Sequence, residues 1–168
     1  MIENRSYTLG ELKAILDKLN LPVEVSLFRK TNFSNTNQKI FLIQSDKNQY
    51  IGHFCLLYFK DDTAYFFDPS GTRPLEIFKE YHLNQELQDV SNFYNCLANY
   101  TIDYNDHNYQ TKNSQLCGIM CIVRYYFNDM DTDDFYNFIK QIKTKYGFQN
   151  MDETFLNIIN TLLGRDSL

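Results

Sequence analysis

Apolar positions near the start of the chain shift from helical to alternating spacing, and that shift marks the first two elements. Leu9, Leu12, Ile15, Leu16 and Leu19 recur on one helix face, Thr8 and Glu11 stand at capping-box spacing, and Leu21-Pro22 ends the pattern. Val23, Val25 and Leu27 then alternate with Glu24, Ser26 and Phe28, which predicts a short strand, and the polar stretch 31–38 predicts a loop. Segments 39–45 and 50–59 are nearly continuous apolar runs separated by Asp46-Lys47-Asn48-Gln49, as expected of central hairpin strands covered on both faces. A turn at 60–63 and a third strand at 64–68, closed by Pro69-Ser70-Gly71, complete an antiparallel meander.

Helical spacing returns in the second half. Leu87, Val90, Tyr94 and Leu97 fit one helix face, and 100–104 reads as a further strand. After a polar stretch, residues 116–127 are apolar or aromatic except for Gly118 and Arg124, which predicts a buried helix capped by Asn113 or Ser114. Thr132 is placed to cap a helix with Phe135, Phe138, Ile139, Ile142 and Tyr146 on one side and Gly147 as its stop. Asp152 starts a last helix through Phe155, Leu156, Ile159, Leu162 and Leu163 to Gly164. Without repeats or linkers, residues 1–168 read as one α+β domain: a central, mostly antiparallel sheet flanked by helices, with Cys117 at the N-terminus of the buried one.

Composition adds bounds to this picture. Fourteen Phe and thirteen Tyr with no Trp imply an aromatic-rich core, and a net charge of -5 gives no bias towards nucleic acid or an anionic membrane. The chain begins with polar sequence, and its apolar runs are too short to span a bilayer. Cys55, Cys96, Cys117 and Cys121 show neither disulfide-framework nor CxxC spacing, so synthesis in a reducing, intracellular compartment is expected.

The candidate chemistry centres on Cys117. In the first helical turn, backbone N–H groups without intrahelical partners and the helix dipole favour a thiolate and its oxyanion products. Cys121, four residues on, reads as a small buried hydrophobe, which is the bland reading of Cys117 as well. A base is supplied by His53, set in an apolar strand. Pairing of strands 50–59 and 64–68 about residues 61–62 brings Asp68 close enough to orient the imidazole and stabilise its charged form. Acyl transfer also needs a second oxyanion donor beside the Cys117 N–H, and Gln110 is favoured over Gln115, which sits too near the helix start. A zinc set of His53, Cys55, Cys117 and Cys121 lacks ligand spacing, His82 and His107 read as surface residues, and the acidic run 129–134 reads as a solvated helix start.

Gln110-x-x-Asn113-Ser114-x-x-Cys117-Gly118-x-x-Cys121 resembles the active-site segment of the adenovirus endopeptidase family. Gly52-His53-Phe54 and Asp68-Pro69-Ser70-Gly71 are similar to that family's His-Trp and Asp/Glu-Pro-x-Gly segments, and 11–15 is similar to part of its first helix. The order His, acid, Gln, Cys also marks the SUMO-protease-like clan and the maturation proteases of virophages and large DNA viruses. The resemblance implies a sheet flanked by helices, with His53 as base, Asp68 as its orienter, Cys117 as nucleophile and Gln110 as oxyanion donor. It further implies Phe54 and Gly118 as substrate-binding residues, and no metal.

The task it implies is cleavage of viral capsid and core precursors during virion maturation, commonly after small residues such as Gly. The protein would then act in the host cytoplasm or viral factory and be packaged in the virion. Phe54 stands where the family has Trp, which keeps an aromatic wall but loses an indole N–H and bears on substrate preference. Neither of the family's cofactors carries over: the acidic net charge weakens a DNA activator, and Cys96 is not at the spacing of the peptide-linking cysteine. An activating peptide of another kind is left open. Two alternatives compete: a ubiquitin- or SUMO-like isopeptidase or acetyltransferase of the same clan, and a virion protein that keeps the fold without the chemistry.

Overall fold

The computed structural model describes residues 1–44, 52–81 and 88–166, with side chains to residue 164. In chain order the elements are α1 (Leu9–Lys18), β1 (Val23–Leu27), a 3-10 turn (Phe28–Lys30), β2 (Gln38–Gln44), β3 (Gly52–Lys60) and β4 (Thr63–Phe67). They continue with α2 (Pro74–Glu80), α3 (Gln88–Leu97), β5 (Thr101–Tyr104), α4 (Cys117–Tyr126), α5 (Thr132–Tyr146) and α6 (Met151–Asp166). Among the described residues the architecture is α+β, with five strands in the order β1-β2-β3-β4-β5 and helices on both faces. Among the described residues no helix is long and apolar enough to cross a membrane.

The meander β2-β3-β4 is antiparallel, as the sequence predicts, with Ile43 opposite His53 and Leu56 opposite Phe67. The outer strands differ from the expectation: β1 runs parallel to β2 and β5 parallel to β4, so the sheet is mixed. The reason is topological. The 28–37 connection and the α2–α3 excursion each carry the chain back along the sheet, and a connection of that length permits a parallel neighbour where a tight turn does not.

Alternation in the central strands divides the core into two clusters. Phe54, Leu56, Tyr58 and Phe67 face α1, α4, α5 and α6, while Cys55, Leu57, Ala64 and Phe66 face α2, α3 and the 3-10 turn. On the second face the Phe93 ring lies 5.5–6.2 Å from those of Phe28, Phe33, Phe41, Phe66 and Phe78. This is where the aromatic excess of the composition is used.

Several element ends move. The capping box of Thr8 and Glu11 is present, and Gly147 closes α5 in the left-handed conformation. Asp131 rather than Thr132 caps α5. The N-cap position of α4 is Leu116, with no side-chain cap; neither Asn113 nor Ser114 fills it. The last helix runs from Met151 past Gly164 to Asp166, and Tyr146 is 62% exposed instead of joining the apolar face of α5. Helix α2, with Pro74 in its first turn, is not signalled by periodicity at all. The predicted turn at 46–49 and the helical position Leu87 lie outside the described residues.

Candidate active site

His53 is the second residue of β3, beyond the last β3–β4 pair, Leu56 with Phe67. Because β4 stops there, the chain turns at Asp68 beside the protruding end of β3, and His53 Nε2 bonds Asp68 Oδ1. The tight link rests on a two-residue turn, Asp61-Asp62, with Asp61 in the left-handed conformation, which holds Lys60 opposite Thr63.

The Asp68 carboxylate is fully buried and held by its own turn. Oδ1 accepts from Ser70 N at 3.0 Å, and Oδ2 accepts from Ser70 Oγ at 2.7 Å and Thr72 N at 3.1 Å. Burial alone would raise this carboxyl, but the bond to His53, its charge and the Ser70 donors hold it below the ordinary value. Burial alone would likewise lower His53. The bond to Asp68 and the interaction with the nearby Cys117 side chain outweigh it and raise the ring to about 10. With Nε2 engaged by Asp68, Nδ1 is the nitrogen left to the sulfur.

Cys117 is the first residue of α4 and is half-buried at the end of a helix whose next seven residues are buried. Gly118 lets that helix start close to the sheet: a Cβ there would stand 2.6 Å from Leu12 Cδ1 and 3.2 Å from Phe54 Cδ2. One turn on, the Cys121 thiol donates to Phe54 O at 3.6 Å, within the core, as a small buried hydrophobe should.

The loop before α4 carries Gln110 and is tied to the Asp68 turn. Tyr109 N donates to Pro69 O at 2.8 Å, and buried Asn105 donates through Nδ2 to Asp68 O at 2.7 Å and His107 O at 2.8 Å. At Gly71, with φ +79, a Cβ would stand 3.0 Å from the His107 carbonyl, so the turn is strained for any side chain. Gln110 Nε2 donates to Ser114 Oγ at 3.4 Å, and Ser114 Oγ donates to Asp152 Oδ1 at 2.7 Å. His53, Phe54, Gln110, Ser114, Cys117 and Gly118 all line one cleft of about 840 Å³. Gln115 also borders it but is an exposed residue.

Among the described residues two sets bring three potential metal ligands within 4.8 Å of one another: His53, Cys55 and Asp68, and Asp106, His107 and Asp133. In the first, imidazole and carboxylate are bonded to each other and burial pushes the Cys55 thiol up, which suits an ion pair over a metal. The zinc set considered from sequence does not converge, because Cys55 and Cys121 belong to the clusters on opposite faces of the sheet. His107 is no plain surface residue: its ring stacks on Tyr136 at 4.0 Å and bonds Asp133 at 2.8 Å. His82 lies outside the described residues.

Asn105, Ser70, Thr72 and Asp152 escape sequence reasoning. The hydroxyls after Asp68 carry a signal, since Ser and Thr two and four residues beyond an Asp-Pro can close a turn on it. Asp152 carries none, because its partner is 38 residues away, and Asn105 signals only a local turn with His107, not its bond to Asp68, 37 residues away. No model of a known protein family matches the chain, and no curated protein matches it.

Proposed function

We propose that this chain is a cysteine endopeptidase of the adenovirus-endopeptidase type, which cleaves viral capsid or core precursor proteins during virion maturation. The observation that carries the reading is the bond from buried Asp68 to His53, with His53 and Cys117 lining the same cleft as Gln110. The class of substrate rests on the motif resemblance.

In this mechanism an imidazolium at His53 stabilises the Cys117 thiolate, which attacks the scissile carbonyl carbon and forms the S–C bond. Negative charge on the carbonyl oxygen is met by the N–H of Cys117, which as the first helical residue lies outside the intrahelical ladder, and by Gln110 Nε2. Collapse of the tetrahedral adduct breaks the C–N bond, and the leaving amine takes the His53 proton. Neutral His53 then takes a proton from water, whose oxygen displaces the sulfur and regenerates the thiolate and imidazolium.

Coexpression with a capsid precursor that contains a Gly junction tests the reading. Cys117→Ala is expected to abolish cleavage with the melting temperature retained, and His53→Ala to be nearly as severe. Unchanged cleavage by Cys117→Ala overturns the nucleophile assignment. Covalent capture of Cys117 by a SUMO or ubiquitin C-terminal electrophile would move the substrate class to isopeptide bonds.

A further inference from the structure

The C-terminal helices take no part in the chemistry just described, yet one of their side chains reaches the Gln110 loop. Asp152, the second residue of α6, is only 6% exposed, and its Oδ1 accepts the Ser114 hydroxyl at 2.7 Å. We propose that Asp152 and Ser114 form a positioning relay that fixes which edge of the Gln110 amide faces the cleft. The proposal rests on the protease reading and deepens it.

The donors and acceptors around Ser114 fix the orientation of the amide. An ionised carboxylate only accepts, so the single Ser114 hydroxyl proton is committed to Asp152. The Ser114 oxygen can then only accept from its remaining neighbours, Gln110 Nε2 at 3.4 Å and Leu116 N at 3.5 Å. The NH₂ edge of the amide is thereby turned towards Ser114 and its Oε1 away from it. Nε2 has a second hydrogen, and that hydrogen is the one available to an oxyanion. Without the relay the amide has two nearly isosteric orientations, one of which presents Oε1, an acceptor, to developing negative charge. Asp152→Asn goes further, because its own NH₂ can donate to Ser114, which frees the hydroxyl to donate to Gln110 Oε1 and favours the flipped amide.

The test separates thiolate reactivity from oxyanion stabilisation. Iodoacetamide alkylates Cys117 at a saturated carbon and needs no oxyanion donor, whereas p-nitrophenyl acetate acylates the sulfur through a tetrahedral oxyanion and releases nitrophenolate. In Asp152→Asn and Ser114→Ala, kcat for the ester is expected to fall roughly 10- to 100-fold, part of the loss from removing a whole oxyanion donor. KM and the alkylation rate should stay within about two-fold. Added to Gln110→Ala, Asp152→Asn should cause no further loss. A full additional loss in that background, an equal fall in alkylation, or unchanged ester turnover in both single variants overturns the relay. Ser114→Ala, at a half-buried loop position, carries the test if Asp152→Asn does not fold. Wild-type ester turnover that does not depend on Cys117 overturns the protease reading itself, before any variant is compared.

Discussion

The Asp68 carboxylate accepts four hydrogen bonds, from His53 Nε2, Ser70 N, Ser70 Oγ and Thr72 N, all at full burial. An amide in its place must turn a donor towards at least one of these donors. Asp68→Asn should therefore lower kcat by roughly 10²- to 10⁴-fold while staying above the Cys117→Ala floor, because orientation and charge are disturbed but the sulfur remains. The same pair sets a pH dependence of stability. His53 is raised from 6.5 to about 10, so its contribution is fully present below pH 6.5 and is lost as pH rises through about 10. Asp68 is lowered from 3.8, so its contribution is present above that pH and is lost as pH falls through the folded value. Chemical denaturation of wild type and His53→Ala across pH should thus show the largest stability difference between about pH 4 and 6.5, narrowing towards pH 10; a constant difference would contradict the ion pair. At this scale the sequence is informative about chemistry, since a thiol at a helix start and a histidine opposite a strand-ending carboxylate are local facts. It says nothing of the bonds from Asn105 to Asp68 and from Ser114 to Asp152, which join residues far apart in the chain.

At the scale of elements, the site depends on how closely α4 can approach β3. Gly118 has Leu12 Cδ1 and Cδ2 at 2.6 and 3.0 Å and Phe54 Cδ2 at 3.2 Å from where a Cβ would stand. Gly118→Ala adds helix propensity, but pressing on Leu12 and Phe54 should outweigh it and destabilise the fold by about 1–2 kcal/mol. Urea unfolding measures the change, and activity should fall with it because Phe54 adjoins His53. The elements themselves were largely legible. The capping box, the two-sided apolar runs and the C-terminal Gly147 each reflect short-range sterics and hydrogen bonding, and α1, the meander and α5 appear where those signals stand. Helix α2 was not legible, because seven residues after a proline carry too few apolar positions for a period to show. The Ser114 cap failed because the helix begins only at Cys117, so the Ser114 oxygen meets Leu116 N, ahead of the first helical turn.

For the molecule as a whole, buried Arg124 joins α4 to the turn before α5. Nη1 donates to Phe127 O at 3.0 Å and Nη2 to Met130 O at 2.9 Å, with the guanidinium carbon 4.9 Å from the Phe135 ring centre and 5.4 Å from that of Tyr58. Arg124→Leu leaves those carbonyls without the guanidinium and removes the ring contacts, at a cost of about 2–4 kcal/mol. A lower thermal midpoint with an unchanged Cys117 alkylation rate at 10 °C is expected, since the site itself is not touched. The sequence by itself determined the periods, the punctuation and the reactive side chains, because each depends on neighbours within a turn of helix or a hairpin. Tertiary structure alone decided the parallel outer strands, the placing of Cys117 in one cleft with His53 and Asp68, and the tether from α6 to the Gln110 loop. Such contacts close long loops, and they hold only when both core clusters pack together and offset the chain entropy that loop closure costs.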